Sequence, residues 1–363
     1  MRKSVMARLL LVVITIIFMS NAHAKSLEIT FIVPDKNGPA FWKMVTSISQ
    51  AAAKTLKVNL EVIYSANNRF EHKLQIEKLI QRKRKPDYII FRPFQGTVRD
   101  SFNLLEENQV PFVTLERAIF SLESEKIGVP KQKYKYWVGQ VVYDNVVGGK
   151  LLTDALVKEH FVRDPHKKLF ITGIGGNHDT LSLERQSALE QLIHNDDSRQ
   201  IIVNQIFPML WNTSLLTQRF PQIMKRYPNT NAFWCAGDAM ALEVFKQLKN
   251  NNTENIIIGG FDWLPEVLKE IETGNITASV GGHFLMTASA LVKIVDYHHG
   301  VGSFTSPSIM NQYEIITQEN VSEYLDFMNN KAWNKIDFAE FLHSKYSAPP
   351  ELSVRNMIKQ LEK

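Results

Sequence analysis

The sequence predicts an α/β protein of two doubly wound parallel-sheet lobes, and three observations carry that expectation. From Leu27 onward, short and continuously apolar runs alternate with longer amphipathic segments. That is the pattern of strands covered on both faces by helices. Such units are more numerous than one open sheet comfortably holds, and a chain of 363 residues has the length of about two domains.

The first strand is expected at residues 27–33 and the first helix at 40–56, with Pro39 suited to its opening turn. Strands at 58–64, 88–91, 112–115 and 136–140 follow, with helices at 70–82 and 97–108 between them. A second series begins with helix 146–159 and runs through strands 169–173, 201–207, 232–235, 256–260 and 278–280. Its helices are read at 180–194, 213–227, 239–248, 265–273 and 284–298, before a strand at 313–316 and a helix at 321–328. The remainder carries Trp333, Phe338 and Phe341, then Ala348-Pro349-Pro350, and reads as an appended tail that packs on a domain.

Residues 1–24 are of another character. Arg2, Lys3 and Arg8 precede the apolar run 9–18, and Ala22-His23-Ala24 places small residues two apart. This is the layout of a secretory signal peptide, with cleavage expected after Ala24. The run is shorter than the roughly 20 residues that span a bilayer. Removing that segment takes three of the 42 basic residues and none of the 37 acidic ones, so the mature chain carries +2 rather than +5. No nucleic-acid footprint is indicated. The cluster Arg82-Lys83-Arg84-Lys85 falls at a predicted helix end, where cations favour the dipole and stay in water. The one cysteine, Cys235, excludes an intrachain disulfide and lies in an apolar run that suits a buried, inert thiol. His298 and His299 are adjacent without a second ligand cluster, so neither a metal site nor a cofactor is expected.

In open parallel sheets, ligands sit beyond the carboxyl ends of the strands. There the chain places Phe41 and Trp42, Glu116 and Arg117, Arg185, Trp211, Asp262 and His283. Carboxylates accept from hydroxyls, guanidinium groups donate in fixed forks, and aromatic rings cover the C–H faces of a sugar. The set suits a small polyhydroxylated ligand. Each residue also has a plainer reading. Asp238 suits an N-cap, Phe41 a core position, His283 an ordinary helix start, and Glu116-Arg117 a local salt bridge.

Segments in order along residues 27–330 resemble the type I periplasmic substrate-binding proteins, the ribose- and galactose-binding family whose core is shared with LacI-type repressors. They are N-G-P-A-F-W at 37–42, V-P-F-V-T-L-E-R at 110–117, D-N-V-V-G-G-K at 144–150 and G-I-G-G-N-H-D at 173–179. E-R-Q-S-A-L at 184–189, G-D-A-M-A-L at 237–242, G-G-F-D-W at 259–263 and G-N-I-T-A-S-V at 274–280 continue the series. The resemblance implies two lobes joined by a multi-strand hinge. It assigns 25–141 plus 283–310 to the N-terminal lobe, 142–282 plus 311–330 to the C-terminal lobe, and 331–363 to an extension. It implies an interlobe sugar site, with Phe41 and Trp42 as the aromatic pair, Glu116-Arg117 as the acid–arginine pair, and Arg185, Trp211 and Asp262 from the second lobe. Asn37, Asp238 and His283 complete the candidate ligand-binding set. Two positions depart from the family pattern. Gly237 stands where Asn is usual and Gly282 where Gln is frequent, which puts the identity of the sugar in doubt.

The expected function is capture of a sugar or sugar-like solute in the periplasm by a monomer that presents it to an ABC permease. The alternative is a sensing receptor for an autoinducer-like ligand, acting through a membrane sensor kinase or chemoreceptor. A LacI-like regulator requires a helix-turn-helix where the export segment stands. A secreted carbohydrate-active enzyme requires a general acid, which arginines beside Glu116 and Asp262 work against.

Overall fold

The computed structural model describes residues 26–35, 40–116, 125–195, 200–301 and 308–363. Its first sheet has the order β2-β1-β3-β4-β5-β11. These strands are β1 Glu28–Val33, β2 Asn59–Tyr64, β3 Tyr88–Phe91, β4 Phe112–Leu115, β5 Trp137–Tyr143 and β11 Ser308–Asn311. Every pairing in it is parallel. The second sheet has the order β7-β6-β8-β9-β10-β12. Its strands are β6 Leu169–Gly175, β7 Ile201–Pro208, β8 Ala232–Cys235, β9 Ile257–Phe261, β10 Ala278–Gly281 and β12 Glu314–Thr317. Only β12 runs antiparallel, against β10. Both sheets share the 2-1-3-4-5 winding, which reverses direction beside the first strand and opens a crevice at the strands' carboxyl ends.

The apolar runs become strands because both their faces are covered. β3, β4, β8, β9 and β10 are buried at every residue. Helix α1 (Ala40–Leu56) buries Phe41, Met44, Val45, Ile48 and Ala52, the stripe its spacing predicts. In the first lobe it is followed by α2 (Arg69–Ile80) and α3 (Val98–Glu107). Between β5 and β10 lie α4 (Asn145–Arg163), α5 (Thr180–Asn195), α6 (Thr213–Arg226), α7 (Asp238–Asn250) and α8 (Pro265–Glu272). Helices α9 (Met286–His298), α10 (Val321–Asn329) and α11 (Val354–Leu361) follow.

The chain passes between the sheets three times: from β5 into α4, from β10 into α9, and from β11 into β12. At the second passage Gly282 has φ +97°, a left-handed conformation that side chains disfavour. There the helix expected from 284 begins instead as a 3₁₀ turn, His283–Leu285. Strand β11, absent from the sequence reading, lies at an edge of the first sheet beside β5. The tail is held mainly on the first lobe, while Arg355 Nη2 donates to Tyr324 OH at 3.2 Å on the second-lobe side. Trp333 Nε1 donates to Ser47 Oγ at 3.2 Å, Phe338 N to Thr55 Oγ1 at 3.0 Å, and His343 N to Asp296 at 3.0 Å. Cys235 is a buried free thiol, its pKa pushed up by burial and then by Asp238. Arg82 and Arg84 pair with Glu61 and Glu28 at the surface.

Candidate functional site

Residues from both lobes meet in one cavity at the strand ends. The first lobe supplies Phe41 and Trp42 from the opening turn of α1, Arg92 directly after β3, and Glu116 directly after β4. The second supplies Asn177 and Arg185 from the β6–α5 segment, Trp211 after β7, Gly237 after β8, and Asp262 after β9. His283, after β10, stands at the passage between the lobes. Three of these residues leave their strands in left-handed backbone: Glu116 (φ +59°), Trp211 (φ +57°) and Asp262 (φ +118°). Such conformations cost energy and persist where the surrounding structure holds them.

Arg185 organises the second-lobe side. Its Nη1 donates to Ala236 O at 2.9 Å, and its Nη2 lies 3.1 Å from Tyr313 OH and 3.2 Å from His283 Nε2. The guanidinium stands 4.4 Å over the ring of Phe261, a cation–π arrangement. Helix packing places it: a Cβ at Gly149 would come within 1.8 Å of Arg185 O, so only glycine lets α4 lie this close to α5. Tyr313 donates on to Asn145 Oδ1 at 2.8 Å, and burial pushes its pKa up to about 12. Burial opposes the charge on Arg185, yet Tyr313 and Asp262 hold its pKa above the ordinary arginine value.

His283 stacks on Phe41 with ring centroids 4.6 Å apart. Its Nε2 lies between Arg185 and Asp262, 3.1 Å from Asp262 Oδ1, so a neutral ring serves one of them at a time. Burial lowers its pKa despite the hydrogen bond to Asp262. Burial thus favours the neutral ring, and its buried Nδ1 has no protein partner. Arg185 Nε is likewise buried without one. Arg92 Nε contacts Glu116 Oε2 at 2.5 Å, and its Nη2 contacts Asp179 Oδ2 at 3.1 Å. Burial opposes the charge on Arg92, but the two carboxylates outweigh it and raise the pKa. The cavity thus offers aromatic faces and paired charges inside one enclosure, the composition of a small-molecule site. Among the described residues, no group of His, Cys, Asp and Glu is arranged to hold a metal, and no helix is long and apolar enough to cross a membrane.

The model of the periplasmic binding protein domain matches residues 29–299. The chain belongs to the type I periplasmic binding proteins. This binding protein is 23% identical over 262 residues to the ribose import binding protein of Salmonella typhimurium, covering 72% of this chain and 80% of that one. It is 23% identical over 276 residues to the D-allose-binding periplasmic protein of Escherichia coli, covering 73% and 82%. Among solved structures, a periplasmic sugar-binding protein from Pseudomonas fluorescens superposes with a TM-score of 0.77 at 20% identity, covering 88% of this chain and 95% of that one.

Of the candidate residues, Phe41, Trp42, Glu116, Arg185, Trp211, Asp262 and His283 line the one cavity. Asn37 and Arg117 lie outside the described residues, as does the segment read as a signal peptide. Asp238 is placed elsewhere. Its fully buried carboxylate accepts from Leu264 N at 2.8 Å and from Ser279 Oγ at 2.8 Å, which turns it away from the cavity. Nor does it cap α7: the cap position is Gly237, and Asp238 is the first helical residue. Gly282 does not line the cavity either, and its carbonyl accepts from Tyr143 OH at 3.1 Å. Glu116 is ion-paired with Arg92 from the neighbouring strand end, and the Glu116–Arg117 salt bridge read from the sequence falls on a residue outside the described ones. Sequence reasoning missed Arg92, Asn67 and Asn177, which also line the cavity. Arg92 directly follows the strand at 88–91, so the strand-end rule applied there would have found it.

Proposed function

We propose that this protein captures an aldose or a related polyol between its lobes and presents the closed form to an ABC permease. One observation carries the reading. A single cavity at the carboxyl ends of both sheets combines the rings of Phe41, Trp42 and Trp211 with the hydrogen-bonding groups of Arg185, Asp262 and His283. Rings cover the C–H faces of a pyranose or furanose, and the charged groups bond its hydroxyls. Relatives named for ribose and D-allose support the aldose class. Binding from both sides favours closure, because only the closed state contacts the ligand with both lobes. The same reading takes the protein as exported with cleavage after Ala24, monomeric, and without catalysis.

Thermal unfolding of residues 25–363 against pentoses, hexoses, inositols, sugar alcohols and autoinducer-2 tests it. A ligand at about 100 times its Kd adds roughly 2.7 kcal/mol to stability, a visible shift in Tm. A shift with one sugar supports the reading and names the solute. A shift with autoinducer-2 alone moves the function to sensing, and no shift with any compound overturns it.

A further inference from the structure

Arg92 and Asp179 belong to different lobes. Arg92 follows β3 of the first sheet, and Asp179 precedes α5 of the second. Their side chains meet at 3.1 Å and are 16% and 18% exposed, partly screened from water. Arg92 also holds Glu116 of its own lobe at 2.5 Å, so its charge stays compensated when the lobes part. The pair stands between two spaces. Arg92 lines the inner cavity, and Arg92 and Asp179 together line a groove outside it, which shares Asn67 and Asn177 with the cavity.

We propose that the Arg92–Asp179 ion pair is an interlobe latch that closes the inner cavity toward the groove. It forms only when the lobes meet, so it adds to the closed state a free energy belonging to the protein rather than to a ligand. It breaks each time the cleft opens, so it slows ligand release and makes closure sensitive to ionic strength, even for an uncharged solute. Both residues act by positioning, since the proposal requires neither to touch the ligand.

Asp179 has a second task that allows a clean test. Its Oδ1 accepts from Ser182 N at 2.9 Å at the start of α5. Asparagine keeps that acceptor and is an equally good cap, but it turns a neutral amide toward the guanidinium. Asp179→Asn therefore removes the latch and keeps the helix end. Arg92→Gln breaks the same contact from the other side. Double electron–electron resonance on the ligand-free protein reads the interlobe distance, with spin labels on Lys78→Cys in α2 and Lys225→Cys in α6. Cys235 is buried and stays unlabelled.

Both variants are expected to lower the closed-to-open ratio about fivefold, the scale of a partly exposed ion pair. Raising salt to about 1 M, where the screening length is about 3 Å, moves wild type toward the variants and leaves Asp179→Asn unchanged. Coincident distance distributions for wild type and Asp179→Asn overturn the latch, as does a wild-type distribution that salt does not move. The measurement needs no ligand, so its failure leaves sugar binding standing. Failure of the sugar panel in turn leaves the latch standing.

Discussion

Gly237 is where the cavity departs from the pattern its sequence resembles, and its surroundings show what a side chain there would meet. A Cβ at this position would lie 3.4 Å from both Asp262 Oδ2 and the ring of Trp211, ordinary contact distances. The backbone is extended (φ −156°, ψ 152°) and sits at the N-cap of α7, where asparagine is favoured. Gly237→Asn should therefore fold with Tm unchanged or slightly raised, while its amide takes up cavity space beside the indole. Its ranking of sugars should shift toward smaller, unsubstituted ones in the same thermal panel. An unchanged ranking would show that Gly237 does not shape the binding space. Glycine departures could be read from the sequence, and the strand-end rule also reaches Arg92, but the partners of Arg92 could not be read. A lone arginine after a strand looks like a solvated charge until the sheet order sets β3 beside β4 and the opposite lobe brings in Asp179.

At the level of elements, Asp238 couples the start of α7 to the loop that carries Asp262. Its carboxylate accepts from Leu264 N and Ser279 Oγ, and Trp263 N lies 3.3 Å from that same hydroxyl. Burial first, and the neighbouring Asp262 second, raise its pKa well above the usual carboxylate range. A buried acid of raised pKa costs stability as pH rises through the folded value, because the unfolded chain releases the proton earlier. Asp238→Asn removes that cost and retains an acceptor, so urea unfolding at pH 7 should find it at least as stable as wild type. Asp238→Ala leaves Leu264 N–H and the Ser279 O–H proton without an acceptor and should lose about 2–4 kcal/mol. Equal stability of the two variants would refute the coupling. The strands and helices themselves were legible, since burial on both faces dictates continuous apolar runs and amphipathic partners dictate their own period. Strand β11 was not, because four residues of mixed polarity at a sheet edge carry no periodic signal.

For the molecule as a whole, two windings of the same kind could be read from the alternation of elements, whereas the cavity's closure depends on how three connections bring the lobes together. His72, close enough to Arg92 to feel its charge, tests how the assembled core responds to acid. The ring lies 5.1 Å from that of Phe91 and 5.2 Å from that of Phe94, it is 1% exposed, and neither nitrogen has a hydrogen-bond partner. Burial first, and Arg92 second, push its pKa down to about 4. The unfolded chain takes up this proton near the ordinary histidine value of about 6.5, while the folded protein resists it. Stability is therefore whole above that value and lost as pH falls toward the folded pKa. By pH 4.5 the loss attributable to His72 should reach roughly 2–3 kcal/mol. His283, also lowered by burial, works in the same direction, and Asp238, raised, works against both. His72→Leu isolates the one group, because the other two titrate identically in variant and wild type. Denaturant unfolding of the pair should give similar stabilities at pH 7.5 and a gap in favour of the variant that widens as pH falls to 4.5. Parallel pH profiles would mean that His72 takes its proton in the folded protein as readily as in the unfolded chain.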